Sequence, residues 1–185
     1  MPTESRRERA REERRTLILR TARDLAESEG WDAVTTRRLA DAVDYSQPVL
    51  YGHFKNMDAI ADAIALEGIE ELAAVLQAAD GLHGLARAYL GYAETHPAAY
   101  EAMFTRRTDL VFGTAESPSV LKAAFAAIRA AVEPFADAEN AETLTEVFWS
   151  ALHGQATLTR GRRLRPTHAQ ARADALTALI TNASW

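Results

Sequence analysis

Cysteine is absent from the sequence. Disulfides and thiolate metal sites are therefore excluded, and the composition suits a reducing compartment. Lysine is scarce: Lys55 and Lys122 stand among 21 basic residues, and the rest are arginine. No run of eighteen apolar residues occurs, because Glu, Asp or Arg interrupts the alanine-rich stretches every few positions. No membrane-spanning helix is expected. The first fifteen residues, MPTESRRERAREERR, lack an apolar core and do not read as a secretory signal. A cytoplasmic location is the expectation. The five histidines, His53, His83, His96, His153 and His168, form no i, i+4 pair, and no Glu-x-x-His motif occurs. Zinc and carboxylate-bridged di-iron chemistry thus have no ligand pattern. No GxGxxG or GxxxxGKS/T loop is present. Neither an enzyme nor a bound cofactor is expected.

What is present is helical. Apolar residues make up 48% of 185, enough to bury a sizeable core, and they recur at three- and four-residue spacing along most of the chain. The formal charge is −5, but it is unevenly spread. Residues 1–55 hold 11 Lys/Arg against 10 Asp/Glu, whereas residues 56–185 hold 10 against 16. A near-neutral head on an acidic body suits a nucleic-acid partner only if the head's cations cluster on one face.

The head reads as three helices. Residues 1–15 alternate Arg with Glu, and read either as a frayed, solvated helix end or as a flexible arm whose arginines reach DNA. From about Thr16, Leu17, Ile18, Ala22, Leu25 and Ala26 form a stripe that ends at Glu29-Gly30. Trp31 and Val34 return to the core. Thr35 or Thr36 caps a second helix with Leu39, Ala40 and Val43 inward. Asp44-Tyr45 make the turn. Ser46 caps a third helix, with Pro48 in its first turn and Leu50 and Phe54 as its buried side. Gln47, Val49, Tyr51 and His53 are left to face outward. A helix this short has little value as core. A rod with two inward side chains and a polar, aromatic outer surface fits a recognition helix as well as it fits an ordinary helical corner.

The segments ILRTARDLAESEGWDAVTTRRLADAV and YSQPVLYGHFKNMDAI together resemble the N-terminal DNA-binding domain of the TetR/AcrR family of transcriptional regulators. The resemblance implies an all-α fold of about nine helices. A three-helix helix-turn-helix domain over 1–60 would precede a larger ligand-binding and dimerisation domain over 61–185. It also implies a set of DNA-facing positions. Thr36 matches the phosphate-contacting start of the second helix, with Thr35 and Arg37 beside it. Ser46, Gln47, Pro48 and Val49 match the groove-facing start of the recognition helix. Gln47 is suited to adenine and Val49 to a thymine methyl. Tyr51 and His53 match the motif that follows, and Lys55 is placed for phosphate. Four positions depart from the family pattern. Asp44-Tyr45 stand where Gly and a small apolar residue are usual, Met57 replaces a frequent Lys, and Gly52 replaces a bulkier residue.

In the body, Asn56 caps a fourth helix to about Ala79, and Asp80-Gly81 with Gly84 break it. A fifth helix runs to about Glu94. His96-Pro97 restarts a sixth, PAAYEAMFTRR, ending near Asp109. After the loop GTAESP, Ser117-Pro118 caps SVLKAAFAAIRAAV, which Pro134 ends. The last two helices follow, from about Ala138 to Arg160 and after a Thr167/Gln170 capping box. They are amphipathic and rich in Ala and Leu, and the resemblance assigns them to a homodimer interface, with Phe148 and Leu176 as positions to test. On the helices that the family uses to enclose a cavity lie Tyr89, Tyr92, Tyr100, Met103, Phe104, Phe125, Trp149 and His153. They suit a small hydrophobic or aromatic effector, while core packing accounts for the same pattern. WSALHG places Trp149 and His153 on one helix face. The expected function is a ligand-responsive homodimeric repressor on a near-palindromic double-stranded DNA operator. The competing reading is a helical small-molecule-binding protein or enzyme with a non-functional head.

Overall fold

The computed structural model describes residues 2–108, 110–111 and 113–182. Among them the regular structure is entirely helical, with nine α-helices joined by short turns and three single 3₁₀ turns. This is the expected all-α architecture. The chain forms two compact units, one of Met1–Gly68 with Ala98–Asp109, the other of Ile69–Pro97 with Leu110–Trp185.

In the first unit, α1 spans Pro2–Glu29. Its first half is helical throughout. Past Pro2, Arg, Glu and Ala dominate up to Arg15, all strong helix formers. Pairs such as Arg15–Glu12 at 4.0 Å add little, being exposed on one or both sides. The buried stripe is Ile18, Leu19, Ala22 and Ala26. Leu17 lies outside it and is exposed, because the helical period runs through Ile18 and Leu19. Gly30 takes φ 85°, the left-handed geometry that ends the helix. Trp31–Ala33 make a 3₁₀ turn that buries Trp31. Next come α2, Thr36–Val43, and α3, Gln47–Tyr51. Leu39, Ala40 and Val43 are buried on α2, and Leu50 and Phe54 hold α3 from below. α4, Met57–Gln77, begins in this unit, its N-terminus capped by Asn56 Oδ1 accepting from Ala59 N at 2.8 Å.

α6, Pro97–Phe104, belongs to this unit from Ala98 onward. It stops at Phe104, where Thr105 N and Arg106 N both donate to Glu101 O at 3.0 Å. Asp109, its expected end, lies outside the described residues. Both oxygens of Glu27 accept from the first turn of α6, from Ala98 N at 2.9 Å and Ala99 N at 3.1 Å. A carboxylate there satisfies two orphan donors and complements the helix dipole.

The second unit packs α5, Gly81–Thr95, against α7, Ser119–Val132, α8, Ala141–Arg160, and α9, Ala169–Asn182. Its core contains Leu85, Tyr89, Val132, Phe148 and Leu152. Gly84 lies inside α5 and does not break the chain, since Gly81 alone, at φ 61°, makes the turn. Neither expected cap on the later helices forms. Ser117 Oγ accepts from Thr114 N at 3.0 Å within its own loop, and Gln170 donates to Asp174 at 2.7 Å. Phe148 is fully buried within its own chain, so it is core and not a free surface position. Its neighbour Val147 points out, as do Leu158 and Leu179.

Candidate nucleic-acid interface

The helix-turn-helix geometry follows from local rules. Thr35 is the N-cap of α2, and its hydroxyl accepts from Arg38 N at 3.3 Å. The turn closes through Asp44, which adopts φ 55°, ψ 41°. This is the left-handed corner where glycine is usual, and Asp is among the few side chains that tolerate it. Tyr45 N then donates to Ala40 O at 3.0 Å. Ser46 occupies the N-cap of α3 without a side-chain cap, and its carbonyl alone accepts from Val49 N. The Ser46 hydroxyl is therefore not committed to the capping role expected of it. Pro48 sits in the first turn, as its fixed φ and missing N–H allow.

Gln47, Pro48 and Val49 are exposed along α3, and Tyr51 is 53% exposed. The Tyr51 hydroxyl lies 3.3 Å from Thr36 Oγ1, so the expected phosphate contact at Thr36 and the outward Tyr51 share one patch. Arg37 is solvent-facing beside Asp41. Arg38 is not available in the same way. It makes a bidentate pair with Glu29 at 2.7 and 2.9 Å, which lowers the Glu29 carboxyl and raises the guanidinium. Lys55 is exposed next to the α4 cap.

His53 departs from its expected outward position. It is half-buried, and its Nδ1 is buried with no hydrogen-bond partner. Desolvation, then Arg14, Arg11 and Arg15, hold it below the usual histidine range. It lines a shallow cleft of about 500 Å³ with Arg11, Arg14, Tyr45, Val49 and Gly52. Arg11 and Arg14 are therefore neighbours of α3. The sequence carried a signal for this, since they continue the Ile18–Ala22 stripe one and two turns back. An apolar pattern search passes over arginines.

The candidate effector-site residues divide between the units. Tyr89, Tyr92, Phe125, Trp149 and His153 lie in the second unit, and Tyr100, Met103 and Phe104 in the first. Trp149 Nε1 donates to the Tyr89 hydroxyl at 3.1 Å, and the Trp149 and His153 rings are 6.3 Å apart. Burial lowers the His153 pKa, favouring a neutral imidazole. Tyr92 donates to Glu71 at 2.9 Å and stacks on His96. Tyr100 meets Phe104 edge-on at 4.9 Å. Among the described residues, no three His, Asp or Glu gather to hold a metal ion, and no helix is long and apolar enough to cross a membrane.

Residues 18–64 match the model for bacterial regulatory proteins of the tetR family. Residues 82–183, more than half the chain, match the tetracyclin repressor-like C-terminal domain. The chain belongs to the TetR family. It is thus a helix-turn-helix, DNA-binding transcriptional regulator. A helix-turn-helix transcriptional regulator of Mycobacterium tuberculosis, Rv0681, is 30% identical over 148 residues, covering 76% of this chain and 67% of that protein. Over 51 residues, 28% of this chain and 23% of the relative, the TetR-family head is 47% identical to the class C tetracycline repressor of Escherichia coli. The fold matches the crystal structure of the regulatory protein SCO4313 with a TM-score of 0.77 and 20% identity, over 95% of this chain and 98% of that one.

Proposed function

We propose that this TetR-family chain is a homodimeric repressor that binds a near-palindromic operator and is released by a small hydrophobic or aromatic effector. One observation carries the reading: a five-residue helix pinned by Leu50 and Phe54 presents Gln47, Val49 and Tyr51 to solvent. In this reading residues 1–60 bind DNA, and residues 61–185 hold the dimer and sense the effector. Gln47 meets a base edge, Val49 a thymine methyl, and Thr36, Tyr51 and Lys55 meet phosphates. The 47% identity of the head to a tetracycline repressor supports repression, and the match of residues 82–183 to the tetracyclin repressor-like C-terminal domain supports an effector-sensing body. The outward line of Val147, Ala151, Gly154 and Leu158 on α8, with Leu179 on α9, supports pairing with a second copy. Two heads in successive major grooves would lie about 34 Å apart. An effector that binds a differently spaced state more tightly would draw the dimer off its operator.

Selection of bound genomic fragments tests the reading. Enrichment of an inverted repeat is expected, and recovery of random fragments at every salt concentration would refute it. On the selected operator, Gln47→Ala is expected to relax preference at one base position, at a cost of about 1–3 kcal/mol against the correct base. Uniform weakening across sequences would reassign Gln47 to the backbone. Lys55→Ala is expected to weaken binding to all sequences and reduce the salt slope by about one. An unchanged slope would mean that Lys55 does not replace the cation missing at Met57.

A further inference from the structure

α1 extends well past the core it packs on. Ile18 is its first buried side chain among those described, yet the helix begins at Pro2. At about 100° per residue, Arg7, Arg11 and Arg14 lie within about 40° of the direction of Ile18, and Arg15 within about 60°. Glu12 and Glu13 point more than about 100° away by the same count. The side that continues the core stripe is therefore cationic over Arg7, Arg11 and Arg14, whereas the far side mixes Arg6 and Arg9 with Glu12 and Glu13. Arg15 is fixed there, its guanidinium 5.1 Å from the centroid of the Phe54 ring. Arg11 and Arg14 border the cleft whose other wall is Tyr45, Val49, Gly52 and His53.

The cleft adjoins one flank of α3. A four-residue step puts Val49 in line with His53, and another puts Gln47 in line with Tyr51 on the opposite flank. The Tyr51 flank carries the Thr36–Tyr51 hydroxyl pair. A helix lying in a major groove has a phosphate strand on each side. We infer that Arg11 and Arg14, with His53, form a second phosphodiester-binding flank for the operator, facing the strand opposite the one met by Thr36 and Tyr51. The inference rests on the proposed DNA reading by α3. It also accounts for how a head of almost no net charge grips DNA, since Arg11 and Arg14 stand where the backbone passes.

Proton linkage supplies an independent readout. The charged groups acting on His53 are Arg14, Arg11 and Arg15 of α1, opposed by Glu12, and Tyr45 of the turn lines the same cleft. With its pKa held down, His53 is mostly neutral in the free protein at neutral pH. A phosphate in the cleft favours the imidazolium, so the complex binds more protons than the free chain. Affinity must then rise as pH falls from about 7.5 to about 5.5.

The test uses the full chain and the selected operator. Arg11→Ala with Arg14→Ala is expected to weaken operator and random DNA alike by about tenfold to a hundredfold near 0.1 M salt, and to flatten the salt slope by about two. The preferred sequence should not change. Arg9→Ala, on the opposite side of α1, should leave the slope within one unit of wild type. His53→Gln should abolish the tightening at low pH. Alanine suits a helix, and matched far-ultraviolet circular dichroism and melting would show intact folding; Arg11→Gln with Arg14→Gln is a second variant that keeps side-chain length. An unchanged slope in the double variants, an equal loss from Arg9→Ala, or an unchanged pH response in His53→Gln overturns the assignment. A wild-type chain with no preference for any fragment removes the DNA reading itself, and the flank with it.

Discussion

Glutamate at both Val147 and Leu179 is expected to yield a folded monomer whose operator affinity falls by about a hundredfold or more. In the single chain Val147 is 52% exposed and Leu179 67% exposed. Neither contributes much to the core, so a charge at either position costs the isolated chain little. Across a symmetric interface each substitution appears twice, and like charges would meet without partners. Loss of the dimer removes the linkage between heads. Each head then binds its half-site alone, and the avidity factor of about 10²–10⁴ is lost. The neighbouring position gives the contrast. Phe148 has no exposed surface, and Phe148→Ala is expected to cost about 3–5 kcal/mol of stability through the cavity it leaves. The two outcomes separate by sedimentation and circular dichroism. Val147→Glu with Leu179→Glu should sediment as a monomer with wild-type helicity and melting. A variant that stays dimeric would move the interface elsewhere, and one that unfolds would make these side chains part of the core.

That contrast also marks where sequence patterns stop being informative. The α8 period is plain in Leu144, Val147, Phe148, Ala151, Leu152 and Leu158, but a wide apolar stripe does not say which edge meets the chain's own core and which meets a second copy. The head was legible because its signals are local and redundant. A cap at Thr35, a proline at 48, a glycine at 30 and tightly spaced apolar residues all agree. Even the departure at Asp44 was readable, because few side chains accept a left-handed corner. Leu17 was misplaced by one position, since a stripe entering a helix from a charged segment has no apolar neighbour upstream to fix its phase. The pairing of α6 with the head was not legible. It depends on Glu27 and Trp31 meeting residues about seventy positions later, and no local pattern encodes such contacts.

Trp31 is therefore a sharp test of how the head is held. Its ring is buried, its Nε1 donates to Ala98 O at 2.9 Å, and the Arg106 guanidinium lies 4.7 Å from a ring centroid. Trp31→Ala is expected to destabilise the head by about 3–5 kcal/mol, the usual cost of removing a buried aromatic. Against a total stability of about 5–15 kcal/mol, that is a large fraction. The loss has two separable parts. Trp31→Phe keeps most of the packing and the ring face for Arg106 but removes the N–H donor, so it should cost only about 1 kcal/mol. A cation over an aromatic face contributes about 0.5–2 kcal/mol, and Arg106→Ala isolates that share. Urea unfolding of the three variants decides among them. If Trp31→Ala falls within about 1 kcal/mol of wild type, packing of α6 on the head does not depend on the indole and rests on Glu27 instead. If Trp31→Phe is as damaging as Trp31→Ala, the hydrogen bond to Ala98 outweighs the buried area. That would reverse the expected order, in which a buried ring contributes more than one neutral hydrogen bond. Operator affinity gives a further check, because Trp31 touches no expected DNA contact. It should fall only by the fraction of heads unfolded, about tenfold for each 1.4 kcal/mol beyond the stability reserve.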